Sequence, residues 1–251
     1  MQSRMRNYCF LVFVFFISTA PAQADPYDVL LHSHSVEAQR SALRTILDNP
    51  KTYILRVQDT LRAYPRLLHS DPIMAKRAVY LSALIRDPSF PAIIVKTIGL
   101  PDVLDECEYA CPVEFALTIS ARFGNWKIPE NLDPTLMTVY DLKSSVANIS
   151  LLTLQVGSIE DVVQGPALEK YRAELEGKTT EELIQLAGPA TPSQERRTFA
   201  AFRLETMVTD SKNRIDLYLL ALNDFEDASG EYRNAIYQSI FRAELAKVQG
   251  K

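Results

Sequence analysis

The thiol pair Cys107 and Cys111, set four residues apart in Cys-Glu-Tyr-Ala-Cys-Pro, carries the most chemistry in this sequence. Two such thiols can close a small disulfide in an oxidising compartment or, as thiolates, hold a soft ion such as Cu(I). The third cysteine, Cys9, falls in an apolar N-terminal stretch that reads as a removable leader. An even thiol count in the exported remainder points to a structural disulfide between Cys107 and Cys111. The loop it closes is short and restricts the unfolded chain little, so the bridge would pin a turn rather than hold the fold.

Other reactive side chains are scattered. His32 and His34 flank Ser33, and imidazoles bind Zn or Cu, but two residues apart on a helix they point to different faces. No cysteine or carboxylate cluster completes a shell, so His32 and His34 are expected to be solvated histidines near a terminus, and the third histidine, His69, also lies upstream of the thiol pair. No serine sits in a Gly-x-Ser-x-Gly elbow. Glu181-Glu182, Glu205 with Asp210, and Asp224-Phe225-Glu226-Asp227 fall in polar helix starts or loops, where solvated charge is expected. Asn148-Ile149-Ser150 reads as a chance sequon. The expectation is therefore no catalytic residue, no cofactor and no metal.

The Cys-x-x-x-Cys-Pro spacing also resembles the motif of the Sco copper chaperones, exported proteins with a thioredoxin-like fold. That likeness implies thiol-dependent copper or redox chemistry at Cys107 and Cys111, completed by a distal histidine. No histidine follows Cys111, and Leu104-Asp105-Glu106 reads as a loop or helix end where that family has a strand. The disulfide reading is preferred, with the copper or redox accessory role as the alternative.

The elements that must position these residues repeat at helical spacing. Ala42, Leu43, Ile46 and Leu47 share one face, and after Pro50 so do Tyr53, Ile54, Val57, Leu61 and Tyr64, which predicts two helices joined by Asp48-Asn49-Pro50. Asp71-Pro72 supplies a capping carboxylate and a first-turn proline for a stripe of Met74, Ala78, Leu81 and Ile85. Asp87-Pro88 breaks it, and Phe90, Ile93, Ile94 and Ile98 follow. Phe115, Ala116, Ile119 and Phe123 make the next stripe, and Asp133-Pro134 opens another through Leu136, Val139, Tyr140, Val146 and Ala147. Residues 149–156 could alternate as a strand but are read as continuing helix. Thr179 and Glu182 form a capping box, and Gly188-Pro189-Ala190-Thr191-Pro192 is a linker. Three helices are expected beyond it: Ser193 to about Val208, about Ser211 to Asn223, and Ser229 to about Val248.

A segment also recurs. Lys76-Arg77-Ala78-Val79-Tyr80-Leu81-Ser82 is echoed by Arg233-Asn234-Ala235-Ile236-Tyr237-Gln238-Ser239, and alanines at 42, 78, 116, 201 and 235 suit a two-helix unit of roughly 35 to 45 residues. Asp71-Pro72-Ile73-Met74-Ala75-Lys76-Arg77-Ala78, and less closely Val36 to Leu43, resemble HEAT-like repeats, whose first helix often begins Asp-Pro, carries an arginine and sets a small residue against its neighbour. The likeness implies an all-α stack of helix pairs, a short α-solenoid, over residues 30–125 and 193–248. Residues 126–190 depart from it.

The N-terminus gives an address. Arg4 and Arg6, an apolar stretch from Cys9 to Ile17 and the small-residue ending Ala22-Gln23-Ala24 make a secretory leader, cut between Ala24 and Asp25. That apolar stretch is too short to span a bilayer as a helix. Losing 24 of 251 residues leaves 227, and removing two arginines takes the balance of 27 basic and 31 acidic residues to 25 and 31, a formal −6. Such a field disfavours nucleic acid. The expected organisation is a leader over 1–24, helical repeats over 25–164, a polar helical segment and linker over 165–192, and C-terminal helices over 193–251 on the same array. The expected function is an exported, non-enzymatic scaffold or adaptor of the cell envelope, periplasmic in preference to secreted, that binds another protein and keeps no membrane insertion after cleavage.

Overall fold

The computed structural model describes residues 24–98, 112–124, 126–127, 166–223 and 230–250, and every regular element among them is helical. Twelve α-helices are described: α1 (Pro26–His32), α2 (Val36–Asp48), α3 (Ile54–Arg62), α4 (Tyr64–Ser70), α5 (Pro72–Ile85), α6 (Ser89–Ile98), α7 (Pro112–Phe123), α8 (Pro166–Leu175), α9 (Thr180–Ala187), α10 (Gln194–Met207), α11 (Arg214–Leu222) and α12 (Gly230–Val248). None is long and apolar enough to cross a membrane. The leader, Cys107 and Cys111, the 133–147 stripe, residues 149–156, Asn148 and the acidic run 224–227 lie outside the described residues.

The local signals act where the sequence places them. Asp71 accepts a hydrogen bond from the Met74 amide at 3.0 Å, with Pro72 in the first turn. Thr179 and Glu182 satisfy each other's backbone amides, at 3.2 and 2.8 Å. The stretch after Pro50 differs from the single helix expected. A 3₁₀ turn over Pro50–Tyr53 leads into α3, and a second break at Ala63 starts α4. Pro65 is the cause: it lacks an amide hydrogen, and its ring would collide with the preceding turn if α3 ran on, whereas the first turn of a new helix accommodates it.

The central helices also differ from amphipathic stripes. Every residue of α5 from Ala75 to Leu84 is buried except Lys76, α7 is buried from Phe115 to Ser120, and α11 from Leu217 to Leu222. Helices covered on all sides form the interior of a larger helical body, with α2, α4, α6 and α9 keeping polar outer faces. The alanines of the recurring slot, Ala42, Ala78, Ala116, Ala201 and Ala235, are all buried.

Helices far apart in sequence meet in this interior. α11 packs on α2 and α5, α12 packs on α7, and α5 packs on α1, α3, α4 and α7. The two copies of the recurring segment come together directly, with the Tyr80 and Tyr237 hydroxyls 2.5 Å apart. The Phe115 ring stacks on Tyr237 at 4.3 Å between centroids and tilts against Tyr80 at 5.7 Å. Contacts of this range go beyond a stack in which each helix pair touches only its sequence neighbours.

Candidate functional site

The most unusual side chain is Arg77, 1% exposed at the middle of α5. Its Nη1 donates to the carbonyls of Leu31 at 2.7 Å and Ser33 at 3.0 Å, at the C-terminal end of α1. Its Nε donates to the Leu222 carbonyl at 3.3 Å and its Nη2 to the Asn223 amide oxygen at 3.2 Å, at the C-terminal end of α11. Two helix C-termini present their free carbonyls, and hence their negative dipole ends, to one guanidinium. Burial lowers Arg77 from its ordinary value, and the more distant Asp71 carboxylate opposes that shift. Asn223 completes the link by donating to Gln39 Oε1 on α2 at 2.7 Å, and Gln39 Nε2 donates to the Ser33 carbonyl at 2.8 Å. One buried polar clasp thus joins α1, α2, α5 and α11.

A second cluster lies at the end of α5. Glu244 on α12 is fully buried and pairs with Arg214 Nε at 2.5 Å and with Arg86. Arg86 ends α5 in the left-handed region, φ 58°, a conformation that costs a non-glycine residue of the order of 1 kcal/mol. The turn aims its guanidinium at Glu244 and sets it 5.8 Å from the centre of the Phe123 ring. Tyr218 is buried beside them, and loss of water pushes its phenol well above the usual range. Two cations around one carboxylate bind the ends of α5, α11 and α12.

Glu205 corrects the expectation of a solvated carboxylate. It lies inside α10, 8% exposed, where α10 packs on α12, and burial raises its carboxyl above the ordinary glutamate value while Arg242 on α12 opposes the shift. The helix continues to Met207, so Glu205 sits in its last turns facing a neighbour and not in a loop. Asp210 and Glu181 follow the expectation: Asp210 accepts from the Lys212 amide at 2.9 Å, and Glu181 pairs with Lys212 Nζ at 3.1 Å. His32, His34 and His69 are exposed, and no three metal-ligating side chains gather among the described residues.

The site expected at the N-terminus is described from Ala24 onward. Ala24 and Asp25 are exposed, and Asp25 caps α1 by accepting the Tyr27 amide at 2.8 Å. Its carboxylate also pairs with Arg56 Nη1 at 2.7 Å, Arg56 Nη2 reaches Asp28, and the guanidinium lies 4.5 Å above the Tyr27 ring. Tyr27 itself is 2% exposed, with its hydroxyl 2.7 Å from Thr60 Oγ1, and burial pushes its phenol up to about 12.

Reading the sequence missed Arg77, Arg86, Arg214 and Glu244 as buried groups. Arg77 was visible as the arginine of the HEAT-like segment and as the basic residue before Ala78; its counterpart before Ala235 is Asn234, which is exposed. A signal was present in the apolar run from Ala78 to Leu81 that follows Arg77, since a charge beside such a run must find partners when the helix is buried. The arrangement holds helices together. Comparison of the chain with family models, curated proteins and solved structures found no match to any of them.

Proposed function

We propose that the chain is an exported, non-enzymatic scaffold or adaptor of the cell envelope that binds another protein. The observation that carries this reading is how the interior charges are used. Arg77 is consumed by helix ends, and Arg86 and Arg214 by Glu244, so the strongest polar groups described serve cohesion. A rigid helical body with polar outer faces suits presentation of a surface to a partner. The HEAT-like likeness of Asp71 to Ala78 supports the same reading at the level of the helix pair.

The Cys-x-x-x-Cys-Pro spacing favours one second reading, a copper or redox accessory protein acting through Cys107 and Cys111. One experiment separates the two. The mature protein is titrated for free thiols and with Cu(I), and native envelopes are probed for a co-purifying protein with the wild type and with Cys107→Ser/Cys111→Ser. Absent free thiols and partner capture unchanged in the double variant support the scaffold. Stoichiometric Cu(I) binding, lost in the double variant together with capture, supports the alternative.

A further inference from the structure

One end of the helical body carries more positive charge than it neutralises. α11 starts there with Arg214, and α12 ends there with Glu244 and, one turn on along the same face, Lys247. Arg214 reaches Glu244 across the two helices, and Arg86 reaches it from the end of α5. Three cations therefore face one carboxylate and leave two positive charges over, in a chain whose formal net charge is −4. Helix dipoles do not account for the surplus, because the positive end of α11 and the negative end of α12 meet here and offset one another. The acids closest in sequence to Arg86 and Arg214 are engaged elsewhere: Asp87 accepts from the Ser89 amide at 2.9 Å, and Asp216 pairs with Arg40 at 2.7 Å.

The three cations differ in what they have left to give. Arg86 is turned inward, its Nε donating to the Ala83 carbonyl at 3.3 Å and its guanidinium set against the Phe123 ring. Arg214 gives Nε to Glu244 and makes no other hydrogen bond among the described residues; its side chain is 16% exposed, so the outer edge of the fork stays available. Lys247 is exposed and has no acidic partner among the described residues. Partial burial, and after it the like charges of Arg214 and Arg86, hold the Lys247 ammonium below its ordinary value against the pull of Glu244. An added anion relieves such crowding of like charge.

We infer that Arg214 and Lys247 form a binding site for a carboxylate on an acidic segment of the partner protein. This names the partner chemistry of the scaffold reading above and rests on it. The two outer nitrogens of Arg214 can donate in parallel to the two oxygens of a carboxylate, and Lys247 adds a point charge beside them. Glu244 holds the Arg214 fork in place before the ligand arrives, so less freedom is lost on binding. The same Glu244 selects the ligand: side-chain carboxylates along a peptide bring one negative charge at a time to the fork, whereas a phosphate dianion brings two against a carboxylate already bound to that guanidinium.

The test uses the mature protein and two fluorescently labelled peptides of equal length, acetyl-tetraglutamate amide and acetyl-tetraglutamine amide, read by anisotropy. At about 0.01 M salt the tetraglutamate is expected to bind and the tetraglutamine not, with affinity falling toward about 0.15 M as exposed charges are screened. Lys247→Glu should weaken tetraglutamate binding roughly tenfold and Lys247→Gln about threefold. Lys51→Gln, which removes the charge of an exposed lysine in the 3₁₀ turn, should leave it unchanged. Thermal midpoints report whether each variant keeps the fold, and if Lys247→Glu lowers its midpoint, Lys247→Gln decides. Equal binding of the two peptides, or tetraglutamate binding that both Lys247 variants leave intact, would overturn the inference. Displacement by inorganic phosphate at lower concentration than by unlabelled tetraglutamate would overturn it too, and make phosphate the ligand. The assay needs no partner, so its failure removes this site and leaves the scaffold reading standing, while failure to capture a protein from envelopes removes that reading alone.

Discussion

Arg77 shows how one side chain can hold a fold without an acidic partner. Its four hydrogen bonds reach three carbonyls and one amide oxygen, and removing the guanidinium takes this donor from the Leu31 and Leu222 carbonyls and the Asn223 amide oxygen, while Ser33 keeps the one from Gln39. Arg77→Met should therefore cost about 3 kcal/mol, read as a fall in the urea midpoint, although Met fills the space well. Arg77→Lys should lose most of the same stability, because a single ammonium head cannot span the ends of α1 and α11 as a planar fork does. A Met variant as stable as the wild type would show the clasp to be idle. Glu205 predicts a pH effect. Its carboxyl titrates higher in the folded chain than the ordinary 4.5 because it is buried, so the stability it contributes is complete below that value and is lost as pH rises through the raised one. Glu205→Gln should flatten this dependence and be more stable than the wild type near neutrality. Urea midpoints measured from about pH 4 to about pH 7 check it, and an unchanged slope would assign the dependence to other groups.

At the scale of elements, most caps and breaks were legible; the break at Ala63 and the number of covered faces were not. Asp71, Thr179 and Asp87-Pro88 act on amides within three residues of themselves, so their meaning travels with the local sequence. The stripe Met74, Ala78, Leu81 and Ile85 marks one face of α5, yet Val79, Tyr80, Ser82 and Ala83 on the other faces are equally buried. Periodicity records where water is excluded most consistently along one helix; it does not count the neighbours that exclude it. Ala78 lies 0% exposed within this crowded surface, and α5 packs on five other described helices. Ala78→Leu should overpack it and cost roughly 1–3 kcal/mol. Thermal unfolding of the variant is the measurement, and an unchanged midpoint would mean that the small residue there sets no helix spacing.

For the whole molecule, the decisive contacts run between the beginning and the end of the chain. Arg40 pairs with Asp216 at 2.7 Å, Arg77 with Leu222, Asn223 with Gln39, and Tyr80 with Tyr237. A chain ended after Val208 loses every one of these, and α1 and α2 should then show little amide protection in hydrogen exchange, whereas in the full chain they should be protected together with α11 and α12. Protection of α1 and α2 unaffected by the truncation would show that the N-terminal helices stand alone. By itself the sequence determined the helical class, the placement of most helix starts and stops, and the burial of the recurring alanines, because spacing, capping and proline chemistry act between residues a few positions apart. Only the tertiary structure decided that α5 and α12 meet through their tyrosines, that Glu205 is covered, and that Arg77 is held by the ends of two helices 46 and 145 residues away. The physical reason lies in the acceptors. Every residue carries the same backbone carbonyl, so a side chain that bonds to carbonyls leaves no partner of recognisable type in the sequence, and its partners are named only when folding brings two helix ends to one point.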